Sequence, residues 1–213
     1  MLEKDDCEWV DCSDSYYDRM CAWPEVHSAA PTCEVPNTWD YSVEKIHAFQ
    51  RAYSRWITTM CPIEDANLDW EITRQQMAKM VSNYMIKVIW KTWTVYTVNE
   101  CDNFDDLNNM SDEMKWYAIV SCQLWLMWQD GKWWILWSFY PNAKVTRAQF
   151  GTVLSRMLRW DKYNQAWLEW YKLHLEALKE DGVMTKIDNP YRKELRWRVM
   201  LMMDRASLKI QWK

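Results

Sequence analysis

Three arginines stand at the same place in three similar stretches, Thr73-Arg74-Gln75-Gln76-Met77, Thr146-Arg147-Ala148-Gln149-Phe150 and Leu195-Arg196-Trp197-Arg198-Val199. Each falls in the first turn of an expected helix, where the helix dipole favours anions, so a cation in all three copies asks for another cause. One cause is a planar donor fork presented to an anionic group of a ligand; the other is pairing with a local carboxylate.

Other constellations offer less. Asp65, Asn67 and Asp69, with Ile72 following, sit like the first oxygen ligands of a calcium loop, but its twelfth place is Gln76 where a bidentate glutamate is wanted. Calcium is therefore an alternative reading beside a plain capped turn. Asp102, Asp105 and Asp106 are candidate acids, yet an acidic loop before a helix that Ser111 can cap is accounted for structurally. The chain contains no nucleophile elbow, no phosphate-cradling glycine loop and no His-Glu-x-x-His pattern, even when each tryptophan is read as glycine. No enzyme is expected. The seven cysteines include no Cys-x-x-Cys pair, and His27, His47 and His174 lie far from ligand spacing, so no resident metal or other cofactor is expected.

The elements that must position the arginines are legible. Thr73 and Thr146 are N-caps, and Gln76 and Gln149 stand three residues on, where each closes a capping box. Ile72 with Met77, and Val145 with Phe150, occupy the places of a hydrophobic staple. The helices that follow keep one apolar face: Met77, Met80, Val81, Tyr84 and Val88, then Phe150, Val153, Leu154, Met157 and Leu158. The third copy keeps Val199, Met202, Met203 and Ala206, while Leu195 replaces the cap threonine and Arg198 the glutamine. Upstream of each start lies another stretch of helical spacing, 43–53, 111–124 and 168–179.

Composition excludes several classes. A net charge of -4 with no long basic run argues against nucleic acid and against an anionic membrane surface, and no apolar stretch reaches the roughly 18 residues of a membrane span. The acidic start has neither a basic n-region nor an apolar h-region, so no export signal is read in it. Cys7, Cys12, Cys21 and Cys33 crowd the first 33 residues, which suits an extracellular, disulfide-bearing segment. Cys101 and Cys122 flank one helix entry and are a candidate pair. Pro31, Pro36 and Asn37 make a linker ahead of the first repeat.

The anomaly is glycine. Ordinary usage gives roughly 15 in this length, yet the chain has 3, beside 18 tryptophans. Trp56, Trp70, Trp125 and Trp160 stand where turn glycines are expected, and Trp56-Ile57 and Trp125-Leu126 align with Gly182-Val183. These tryptophans are expected to be glycines in a bacterial lineage that reads UGA as glycine; Trp116, Trp133, Trp134 and Trp137 are suspect in the same way.

The succession of helix, Gly-Ile or its tryptophan counterpart, loop, Pro-Asn and then a Thr-Arg helix start, three times over, resembles the surface-layer homology family. Its clearest copy runs through Phe104-Asp105-Asp106, Trp125-Leu126-Met127, Phe139-Tyr140-Pro141-Asn142 and Val145-Thr146-Arg147-Ala148-Gln149. The resemblance implies a mostly α fold of three helix-loop-helix repeats (42–92, 101–160 and a degenerate 161–207) in a pseudo-threefold helical prism, after an irregular Cys-containing segment at 1–41. It also implies a non-catalytic cell-surface anchor that binds cell-wall polysaccharide in grooves between repeats, with Arg74, Arg147 and Arg196 as the glycan-binding residues. The family's glutamate is Gln76, Gln149 or Arg198 here, which keeps the cap in two copies and loses a negative charge in all three. A surface-layer lattice protein that contacts other subunits without binding glycan is the alternative.

Overall fold

Ser42, Thr73, Ser111 and Thr146 are hydroxyl caps for the helices that begin at Val43, Arg74, Asp112 and Arg147, whereas Tyr171 precedes the one at Lys172 and Leu195 the one at Arg196; packing keeps them all. The computed structural model describes residues 40–89, 99–127, 136–165 and 169–210, with 32, 33 and 35. Six α-helices lie among them: α1 Val43–Ser54, α2 Arg74–Lys87, α3 Asp112–Gln123, α4 Arg147–Arg159, α5 Lys172–Glu180 and α6 Arg196–Ile210. No strand is present among the described residues; three isolated bridges pair Glu71 with Leu195, Thr73 with Lys144 and Thr146 with Lys193. The chain is mostly helical, as expected. Cys7, Cys12, Cys21, His27, the linker residues Pro31, Pro36 and Asn37, Trp133, Trp134 and Leu168 lie outside the described residues.

α2 packs on α3, α4 on α5, and α6 back on α1. The apolar faces read from spacing meet in one core that includes Met77, Val81, Tyr84, Phe150, Leu154 and Met203. Phe150 is fully buried, and removing a side chain of that size from water stabilises the fold by about 2–3 kcal/mol. Gly151 lets α4 and α5 approach closely, because a Cβ there would collide with the Leu175 side chain. Across the α1–α6 contact the buried Asp204 carboxylate takes Arg51 at 2.5 Å and Arg55 at 3.0 Å.

The helix ends explain the tryptophans. Ile57 and Thr58 both donate to Ala52 O, Leu126 and Met127 both donate to Ser121 O, and Val183 and Met184 both donate to Leu178 O. The same turn closes α1, α3 and α5, and its corner is Trp56 at φ 59°, Trp125 at φ 61° and Gly182 at φ 72°. Trp160 ends α4 at φ 56° and ψ -133°, a region that only glycine enters without strain. Trp70, Trp116 and Trp137 are not among the positive-φ residues. At Trp70 the matching hydrogen bonds belong to Ala143 and Arg192, which like Trp70 are not among the positive-φ residues.

Two disulfides lie among the described residues, Cys101–Cys122, the pair expected from its position, and Cys33–Cys61, which spacing did not single out. Bonds of this kind persist in oxidising compartments and place the protein outside the cytoplasm. No helix of the described residues is long and apolar enough to cross a membrane.

His174 is buried, with its Nε2 3.1 Å from Asn164 Oδ1, and Asn164 Oδ1 also accepts from Arg156 Nε. Burial first, then Arg156 and Arg159, push its pKa down to about 4, so the ring is neutral in the fold. The unfolded chain binds this proton near pH 6.5, so between about pH 6.5 and 4 the unfolded state holds more protons and stability falls as the pH falls. A loss of about 2–3 kcal/mol is expected between about pH 7 and pH 4 from this residue. Thermal melts across that window check it: His174→Gln lowers stability at neutral pH and flattens the dependence, and an unchanged slope rules His174 out as its source.

Candidate functional site

The three arginine-bearing starts meet. Ile72 N–H donates to Glu194 O, Glu194 N–H to Val145 O, and Val145 N–H to Ile72 O, closing a ring of three backbone hydrogen bonds. Outside this ring each helix start reaches into the loop of another copy in the same way. Arg74 and Gln75 N–H donate to Ala143 and Pro141, Arg147 and Ala148 N–H to Arg192 and Pro190, and Arg196 and Trp197 N–H to Trp70 and Leu68. These six donors belong to helix first turns, which have no partner inside their own helix. Gln76 Oε1 accepts from Thr73 N–H at 3.0 Å and Gln149 Oε1 from Thr146 N–H at 2.9 Å, so both glutamines cap as expected.

The arginine side chains follow the same rotation. Arg74 Nε donates to Phe139 O at 2.7 Å and its guanidinium lies 5.1 Å from the Phe139 ring centre. Arg196 Nη1 donates to Ala66 O at 2.9 Å. Arg147 Nε meets Glu194 Oε1 at 2.5 Å, and both residues are buried. All three arginines thus tie their own helix to the next copy's loop, and in Arg147 the carboxylate alternative weighed from sequence is realised. Burial pulls the Arg74 pKa down to about 10, with Asp106 opposing, so Arg74 remains charged at neutral pH. Arg74 Nη2 and Arg196 Nε are buried without a hydrogen-bond partner.

Clefts open beside the ring. One of about 250 Å³ lies between α6 and the 183–194 segment and is lined by Arg147, Arg192, Glu194, Trp197 and Arg198 among others. A second, of about 150 Å³, lies between α6 and α2 and includes Arg196, Gln76, Lys79 and the methionines Met60, Met80 and Met200. Sequence reasoning missed Arg192, Arg198, Lys186 and Arg205 as lining groups. A signal existed for Arg198, which departs from the glutamine of the other two copies.

Two of the three acidic candidates, Asp105 and Asp106, hold a loop. Asp106 accepts Phe139 N–H and Tyr140 N–H, both at 2.7 Å, and Asp105 accepts the Ser138 hydroxyl. These bonds hold the loop that carries the Arg74 acceptor. Asp69 is ion-paired with Lys45 at 2.6 Å, and the Asn67 amide donates to Asp65 O. Of the calcium alternative's ligands, Asp69 is thus taken by Lys45 and the Asn67 amide by the Asp65 carbonyl, and the described residues hold no cluster of three or more acidic, histidine or cysteine groups placed for a metal. The chain matches no known protein family and no curated protein.

Proposed function

We propose that this chain is a non-catalytic anchoring module of the surface-layer homology kind, three helix-loop-helix repeats in a pseudo-threefold prism that hold their protein to cell-wall polysaccharide through the grooves between repeats. The repeats are taken as 42–92, 101–160 and 161–207, and Trp56, Trp125 and Trp160 as glycines of the natural protein. One observation carries the reading: three arginines sit at matching places around a closed ring, each beside a junction between copies. A repeat assembly whose cationic groups gather at its seams suits a long anionic polymer better than a compact substrate. The disulfides agree with a site of action outside the cytoplasm.

Anchoring is tested by sedimenting the full chain with purified wall material and with the same material stripped of its non-peptidoglycan polymer. Retention on intact walls about tenfold above that on stripped walls, a difference of about 1.4 kcal/mol, is expected. Arg74→Lys with Arg196→Lys keeps the charge and removes the fork; weaker retention is expected, together with a lower melting temperature because both side chains hold loop carbonyls, so retention is compared well below both melting temperatures. No retention on intact walls overturns the reading, and sheet assembly without retention favours the lattice role.

A further inference from the structure

We infer that the cleft between α6 and α2 binds a soft monovalent metal cation of the copper(I) class through the thioether sulfurs of Met60, Met80, Met114 and Met200. All four side chains line this cleft of about 150 Å³. Met60 is 42% exposed and Met114 half-buried, whereas Met80 and Met200 are buried, so the group reaches from the mouth of the cleft to its floor. The repeat does not ask for these residues. Ser111 accepts Met114 N–H as Ser42 accepts Lys45 N–H, so the counterpart of Met114 is Lys45. Met60 lies four residues past the corner at Trp56, as Lys186 does past Gly182, and Met200 lies four past Arg196, as Gly151 does past Arg147. Two of these exchanges put a neutral thioether where another copy has an ammonium group.

Ligand softness selects the ion. Thioethers are neutral, soft donors that favour Cu(I), whereas hard cations want carboxylates, carbonyls and water. Among the described residues no carboxylate, histidine or cysteine lines the cleft, so calcium, magnesium and zinc find no ligand set there. The polar groups at hand are engaged elsewhere: Gln76 Oε1 accepts Thr73 N–H, Thr59 accepts Lys79, and Lys79 is neutralised by Glu113 at 2.8 Å. Arg196 also lines the cleft and donates to Ala66 O at 2.9 Å. Its charge repels a cation, and a monovalent ion meets half the repulsion that a divalent one does. Methionine ordinarily fills irregular gaps in a core, but these four leave a cleft open between them. Outside the cytoplasm, where thiols are consumed as disulfides, thioethers are the soft ligands that remain.

This site does not rest on the anchoring reading. Silver(I), a soft monovalent probe, is added as its nitrate to the full chain with any free thiol alkylated, and binding is followed by calorimetry and by the methionine methyl signals in NMR. One equivalent is expected to bind, to shift four of the 14 methionine methyl signals and to raise the melting temperature. Its affinity is expected to change less than about twofold between about pH 7 and 5.5, because thioethers do not titrate, whereas histidine ligands would lose about tenfold. Met80→Leu with Met200→Leu conserves volume and is expected to weaken silver at least about tenfold. Met60→Leu, at the exposed mouth where folding is not at stake, is expected to weaken it about threefold. Met85→Leu with Met157→Leu, buried outside the cleft, is expected to leave binding unchanged. No binding by the thiol-blocked chain, equally tight binding in the cleft variants, or zinc(II) bound as tightly as silver overturns the inference. If silver binds through these methionines while walls retain nothing, the site stands and anchoring falls. If walls retain a chain that binds no silver, anchoring stands and the site falls.

Discussion

Replacing Trp56, Trp125 and Trp160 together by glycine is expected to raise the melting temperature by a few degrees, although each change removes a large apolar side chain. Positive φ costs a residue with a Cβ about 1 kcal/mol or more, and the region Trp160 occupies costs more still. Glycine removes that strain and gives back part of the gain through its freer unfolded chain, which leaves about 1 kcal/mol at Trp56 and Trp125 and about 2 at Trp160. In a chain of this size each kcal/mol is worth about 2–4 °C. Against this gain stand the contacts of three indoles that are only about half exposed, Trp56 at 41%, Trp125 at 46% and Trp160 at 53%, which lower the net effect.

Gly182 supplies the reciprocal experiment. It has φ 72° and nothing within 4 Å of where a Cβ would stand, so Gly182→Ala isolates the backbone term, with an expected loss of about 1 kcal/mol. Calorimetric melts measure both, and a triple variant no more stable than the unchanged chain would sink the glycine assignment at these corners. Peptide mass spectrometry of the natural protein then reads the three residues directly.

Glu194→Val is expected to cost about 3–5 kcal/mol, although valine is what its counterparts suggest. Glu194 holds the ring place occupied by Ile72 and Val145, and all three residues are fully buried. What forbids the apolar residue is Arg147, whose buried guanidinium would lose its carboxylate; stranding one charge of a buried pair is far more damaging than removing both. Arg147→Met with Glu194→Val should therefore recover most of the loss, and a double-mutant cycle in denaturant gives the coupling. Additive single effects would mean that the pair contributes no specific interaction. Thermodynamic recovery combined with lost wall retention would separate the role of Arg147 in the fold from its role in the cleft.

The order of helices and their starting points were legible because capping and amphipathic spacing are local. Thr73 with Gln76 and Thr146 with Gln149 announce a start without reference to anything distant. The third start had to be read from its apolar spacing alone, and α6 nonetheless opens at Arg196, because the loop around Leu68 and Trp70 accepts its first-turn N–H groups. Trp56 and Trp125 were legible as glycine places by alignment with Gly182. Trp70 was not, since whether a turn needs positive φ depends on the path of the chain on both sides of it.

The sequence by itself determined a mostly helical chain and the repeated Thr-Arg start, and it offered Cys101 and Cys122 as a candidate pair. Only the tertiary structure decided that the three starts close a ring, that Arg147 is neutralised by Glu194, and that Arg192, Arg198, Lys186 and Arg205 share one cleft. The reason is physical: caps and helical faces are set by neighbours within a turn or two along the chain, whereas the field around a guanidinium is set by whichever charges packing brings within a few ångströms, and those come from segments tens of residues apart.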